Sequence, residues 1–184
     1  MFKSLILSTV LFLSACASTP VAVLQGKLTP PVDQGYVVVA LTLNSFDQDS
    51  ANAWLRLQGP KGPIDLNASI VLDTIAAPNK NAIGKLHLLS LAPGQYTVQQ
   101  ALGDWIYTAA GWPQQRRDQM PIGQSFEVKA GEVLYLGEVH LALSFQSSLK
   151  MSDQHKRDFY ALGQKYGVSD TSNIKTRLLS NPAQ

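Results

Sequence analysis

The chain has 184 residues, 45% hydrophobic and 15% charged, the composition of an ordinary globular domain with one core. Its 15 basic and 13 acidic residues leave a formal net charge of +2, too small an excess to point to nucleic acid as a partner. A single cysteine excludes an intrachain disulfide and a cysteine-rich zinc site.

Residues 1–15 read as a secretory signal peptide, with Lys3 as its positive start and Leu5 to Leu13 as its apolar run. A helix over that run reaches only about 14 Å. The hydrocarbon core of a bilayer is roughly 30 Å thick, so the run is too short for a mature transmembrane helix. The next residues, Leu13-Ser14-Ala15-Cys16, resemble the lipobox of bacterial lipoproteins: a branched apolar residue, two small residues, then cysteine. That resemblance implies cleavage before Cys16 and acyl chains on both its sulfur and the new amino terminus. At about 0.8 kcal/mol per buried methylene, two or three chains hold far better than one. It also implies a place in the cell envelope. Ala17, where an aspartate would favour the inner membrane, points to the outer membrane facing the periplasm.

Residues 16–34 read as a lipidated tether, because Ala17 to Pro31 carries Pro20 and Pro30-Pro31 and few core-forming side chains. Its length of about fifteen residues would span at most roughly 50 Å, and on average about 20 Å.

A β-sandwich domain is expected over 35–148. Tyr36 to Leu43 is β-branched and apolar, as a buried strand would be, and Ala53 to Gln58 alternates before the Gly59 to Pro63 turn. Ile64 to Ile75 can hold another strand. Lys85 to Leu91 is a clearer one, and Pro93-Gly94 then suits a type II turn into a hairpin partner over Gln95 to Gln100. Ser125 to Val128 alternates into a turn at Gly131. After it, Val133, Tyr135, Val139, Leu141, Leu143 and Phe145 are expected on one strand face, with Glu138 and His140 on the other. Residues 149–184 read as a helical tail packed on the sandwich. Ser152 is placed to cap a helix to Tyr166, Gly167 to end it, and Ser169-Asp170 to cap a second short helix carrying Ile174 and Leu178.

Many short strands with glycine and proline turns argue for a mainly β chain, an antiparallel β-sandwich with a C-terminal helical tail. Leu91 to Val98, followed by Phe126 to Gly137, is similar to small uncharacterised bacterial lipoproteins. Their bodies resemble a transthyretin-like or carboxypeptidase-regulatory-like sandwich, of the broader Ig-like architecture. The matching residues mostly encode turns, so the resemblance implies a fold and carries no catalytic residues with it.

No pair among His87, His140 and His155 has metal-ligand spacing, and His87 and His140 are expected in solvent beside Lys85 and Glu138. The acidic residues are scattered singly. Glu127 and Glu132 can face each other across a turn, on its polar side. Serine-nucleophile and phosphate-loop motifs are missing, so no catalytic residue, metal or cofactor is assigned and no enzyme activity is expected. The segment that stands out runs from Trp105 to Asp118. Trp105, Tyr107, Trp112, Arg116 and Arg117 gather there around a glycine–proline loop, and such residues are enriched where proteins grip partners.

The expectation is a lipoprotein with a binding or scaffolding role, held to the membrane through Cys16 and contacting an envelope protein or peptidoglycan. Two alternatives remain open. A small-ligand carrier would need an apolar cavity between the sheets. A small enzyme acting on cell-wall or lipid material would need a pocket with two polar groups of shifted pKa.

Overall fold

The computed structural model of the chain describes residues 21–181; Cys16 and the signal segment lie outside them. The chain is mainly β, two sheets face to face with one helix near the C-terminus. One sheet has the order β11-β10-β3-β7-β6, built from β3 (Gly35–Ser45), β6 (Thr74–Ile75), β7 (Ala82–Leu91), β10 (Val133–Leu143) and β11 (Ser148–Ser152). The other has the order β5-β4-β8-β9, from β4 (Asn52–Gly59), β5 (Gly62–Ser69), β8 (Gly94–Ala109) and β9 (Trp112–Val128). Between them Val37, Val39, Leu41 and Leu43 of β3 meet Leu55, Leu57, Val98 and Trp105, all excluded from water.

A second, smaller core lies on the other face of the first sheet. Tyr36, Val38 and Ala40 alternate with the inward set on β3, so both faces of that strand are apolar, and its sequence accordingly lacks alternation. The outer core is covered by α1 (His155–Tyr166), through Ala161 and Leu162, and by a hairpin of β1 (Val23–Leu24) and β2 (Lys27–Leu28). Leu28 is fully buried and the Tyr36 hydroxyl accepts from the Ala22 backbone N–H at 3.1 Å, so residues expected in the tether belong to the folded body. What separates Cys16 from Val21 is five residues, with a maximum reach of about 18 Å.

Several local expectations are corrected, each by a tertiary cause. Pro93-Gly94 does not close a hairpin. It takes the chain from β7 in one sheet to β8 in the other, and Gly94 (φ 150°) passes so close to Pro60 that a Cβ would sit 2.8 Å from its ring. The Lys129 to Glu132 turn likewise crosses between sheets and sets β10 parallel to β3, within a sandwich whose other long strands pair antiparallel. Glu127 and Glu132 do not face each other: Glu127 lies 3.7 Å from Lys129, and Glu132 lies 2.9 Å from Lys175.

In β10 a bulge at Gly137 (φ 86°) shifts the register between Tyr135 and Glu138. Val133 and Tyr135 therefore share the outer face with Glu138 and His140, and Val139, Leu141 and Leu143 point to the main core. Phe145 lies beyond the strand end. The expected second helix is instead β12 (Ile174–Thr176), parallel to Val133–Tyr135 on the β10 edge that β11 leaves open. An unpaired strand edge outweighs the weak propensity of a short helix. Helix α1 starts at His155, whose N–H is held by the Asp153 carboxylate at 3.0 Å rather than by Ser152, and ends at Gly167 (φ 73°) as the sequence indicates.

Candidate functional site

The longest strands, β8 and β9, pair from Gly94↔Val128 to Ala109↔Trp112. The segment expected as a loop is thus the end of a hairpin, and it runs past the sandwich. Thr108 to Gln115 are exposed on both faces of the ribbon. A two-residue turn closes it, with positive φ at Ala110 (50°) and Gly111 (82°), the geometry of the primed turns that match strand twist.

Alternation sorts the five expected residues. Trp105 and Tyr107 point to the sandwich side together with Arg116 and Trp112, which pair with Trp105 and Ala109 across the ladder; Arg117, opposite Asp104, points away. Trp105 is 0% exposed and anchors a cluster of four rings. Phe145 meets Trp105 and Tyr107 edge-on, each at 5.2 Å, and Phe46 lies 5.8 Å from Phe145. Phe46 and Phe145, which sequence reasoning missed, are 68% and 53% exposed. Phe46 follows directly on β3 and Phe145 lies two residues past the end of β10, and an aromatic residue just past a buried strand was the signal available.

Polar contacts fix the base of the hairpin. Asp118 accepts from the Trp105 ring N–H (3.1 Å), the Ser147 hydroxyl (2.6 Å) and Arg116 Nε (2.9 Å). Burial pushes its carboxyl up, but these hydrogen bonds outweigh burial and hold it below its ordinary value. The Arg116 guanidinium lies 5.9 Å above the Trp105 ring and donates to the Phe145 carbonyl at 3.3 Å. Arg116 is thus a brace for the cluster. Arg117 extends into solvent, 3.4 Å from Asp104. Where β4 ends, the Phe46 to Ser50 loop takes over the β8 edge, and the Ile106 N–H donates to Asp47 at 3.1 Å. Trp112 stands apart at the tip, 72% exposed.

A second polar cluster, not anticipated from the sequence, lies at the far edge of the outer core. Glu138, expected in solvent, is buried and accepts from Arg157 Nη1 (2.7 Å), Ser152 (2.8 Å) and Thr42 (2.8 Å). Arg157 Nε donates to Asp158 at 2.8 Å, and the Tyr135 hydroxyl donates to the same carboxylate at 2.6 Å. Burial raises Glu138, yet Arg157 and the two hydroxyls hold it below its ordinary value; for the fully enclosed Asp158 burial wins and its carboxyl is raised. Burial, with Asp158 alongside, also drives the Tyr135 phenol up.

Two carboxyls of opposed shift are a pattern that acid–base sites use. Here Asp158 is sealed beneath α1, and every oxygen of the pair is taken by a partner within the protein. The cluster pins α1 to the sheet. A shallow groove of about 440 Å³ beside it is lined by Thr42, Asn44, Lys80, His140 and Lys150.

The histidines also differ from expectation. His140 is half-buried between the Thr42 hydroxyl (2.8 Å) and Asn44 (2.9 Å), and burial lowers its pKa. His87 lies between β7 and β5, 3.1 Å from the Asn67 carbonyl; burial, reinforced by Lys85, lowers its pKa to about 4. His155 is exposed beside Asp153. Among the described residues no three histidines, cysteines or carboxylates gather in a metal-binding group, and no helix is long and apolar enough to cross a membrane. No family model matches the chain, and no curated protein matches it.

Proposed function

We propose that this chain is a lipid-anchored envelope protein with a non-enzymatic role, binding a second envelope component through the aromatic end of its sandwich. Acylation of Cys16, and with it an outer-membrane place facing the periplasm, rests on the lipobox resemblance. The observation that supports the binding role is the exposure of Phe46, Phe145 and Trp112 together on one end of a rigid body. Anchor and binding end are far apart. The folded body begins beside Tyr36, and Phe46 follows the same strand ten residues on, about 33 Å away. A tether of five residues keeps the body close to the membrane while the aromatic end reaches clear of the anchor.

Photo-cross-linking in the intact envelope tests the binding role, with a probe at Trp112 or Phe46 and a control at Lys61, on the exposed β4–β5 turn. A discrete adduct from the aromatic end alone is expected, and equal labelling from all three positions overturns the assignment. The anchor has a separate test. Cys16→Ala is expected to abolish fatty-acid labelling and release the protein, and unchanged membrane retention would refute it.

A further inference from the structure

We infer that the free tip of the β8–β9 hairpin is a second membrane contact, which places Tyr107, Trp112 and Pro113 in the interfacial layer of a bilayer. This rests on the binding reading of the aromatic end and names the component bound there. From Trp105 through Gln115 no residue carries a charge, although 15% of the chain does. The tip is exposed on both faces, with Tyr107 and Trp112 on one and Ile106 on the other. A protein partner docked on one face would leave the other in water. A lipid interface surrounds both.

Tryptophan and tyrosine are the side chains that partition best into this layer, apolar in body and polar at one edge. From the Tyr107↔Gln114 pair to the turn the ribbon measures about 10 Å, the upper end of the 5–10 Å that interfacial elements sink. Its ladder is closed down to Ala109↔Trp112 and Pro113 has no N–H, while the outward backbone groups on the ribbon's two free edges need water, which confines the tip to the hydrated interfacial layer and keeps it out of the hydrocarbon core. The first charged residues above the tip are Asp47 and Asp49, in the loop beside Ile106 and Thr108, followed by Asp104, Arg116, Arg117 and Asp118, paired as Arg116–Asp118 (2.9 Å) and Arg117–Asp104 (3.4 Å). They mark where insertion stops. Four of the six pair off and the two loop aspartates offer no cation to lipid phosphate, so binding depends on partition of the aromatic tip and not on attraction to anionic lipid. With the start of the folded body, beside Tyr36, some 33 Å away along β3, a lipid tether at one end and the tip at the other lay the sandwich lengthwise on the bilayer.

The test uses the chain from residue 16 with Cys16→Ser, which keeps the whole described fold and carries no lipid. Since Cys16 is the one cysteine, Ala110→Cys in this background accepts a single environment-sensitive fluorophore at the tip. On addition of phosphatidylethanolamine–phosphatidylglycerol vesicles, and equally of phosphatidylcholine vesicles, emission is expected to rise several-fold and shift to the blue. In flotation of the unlabelled chain, Trp112→Ala should weaken vesicle binding about tenfold, the loss of one buried aromatic side chain, with an unchanged thermal melt. No flotation with either vesicle, or equal flotation of Trp112→Ala and its parent, overturns the membrane contact. If a probe at Trp112 then captures a discrete protein, the binding end stands and its partner is protein. If nothing is captured either, both readings fall.

Discussion

The outer face of the β3 sheet and the free end of the β8–β9 hairpin both gather aromatic and charged side chains, and the two do opposite things with them. On the outer face, Arg157, Glu138, Asp158 and Tyr135 are turned inward and bond to one another beneath α1, with Arg157 Nη2 left unpartnered. At the hairpin the charges stop at the base, and the rings beyond them are left in solvent. A buried polar group is retained when its partners are supplied within the fold, whereas an exposed tryptophan has nothing inside the protein to pack on. The first arrangement builds the body; the second is available for contact.

Breaking the outer face should cost most. Arg157→Ala leaves two carboxylates buried without their cation, and a loss of about 3–5 kcal/mol in urea unfolding is expected; a change under 1 kcal/mol would remove the cluster from the account of how α1 is held. At the hairpin the contrast is sharpest within one residue type. Trp105→Ala empties a fully buried site and should cost about 3–5 kcal/mol. Trp112→Ala, at the tip, should stay within about 0.5 kcal/mol of the parent.

A smaller effect concerns His87. Its folded pKa of about 4 lies below the ordinary 6.5, so the unfolded chain takes up the proton first as the pH falls. Its contribution is therefore intact above pH 6.5, is lost progressively from there to about 4, and changes no further below. Melting temperatures at pH 7 and 5 should differ more for the parent than for His87→Gln. The last change concerns the turn. Ala110 holds φ 50°, a region that disfavours any Cβ, and Ala110→Gly should gain up to about 1 kcal/mol. A loss there would show that the turn is not strained in solution.

The sequence displayed most strands directly, because alternation and β-branched runs reflect the two-residue period of a strand whatever packs on it. Tyr36 to Leu43, Ala53 to Gln58 and Lys85 to Leu91 all lie inside observed strands. It also picked out Trp105, Tyr107, Trp112, Arg116 and Arg117, since aromatic and arginine residues around a turn are conspicuous in any setting. It could not sort them. One residue of register decides that Arg116 braces a ring cluster and Arg117 meets solvent, and that register is set by fifteen rungs of pairing with β8. Phe46 and Phe145 are far apart in the chain; pairing of β3 with β10 sets the two rings side by side, and only sheet stacking lays them on Trp105 and Tyr107.

What the sequence by itself determined is therefore local: the strand periods, the glycine that ends α1, the uncharged run from Trp105 to Gln115, and the lipobox-like segment before the described residues. The tertiary structure alone decided which turns cross between sheets, where the Gly137 bulge reverses the faces of β10, and that Glu138, Arg157 and Asp158 meet. Those outcomes depend on contacts between residues far apart in the chain, whose cost and gain no local pattern records. A turn such as Pro93-Gly94 specifies only that the backbone bends. Which sheet it enters is settled by the surface waiting to be buried there.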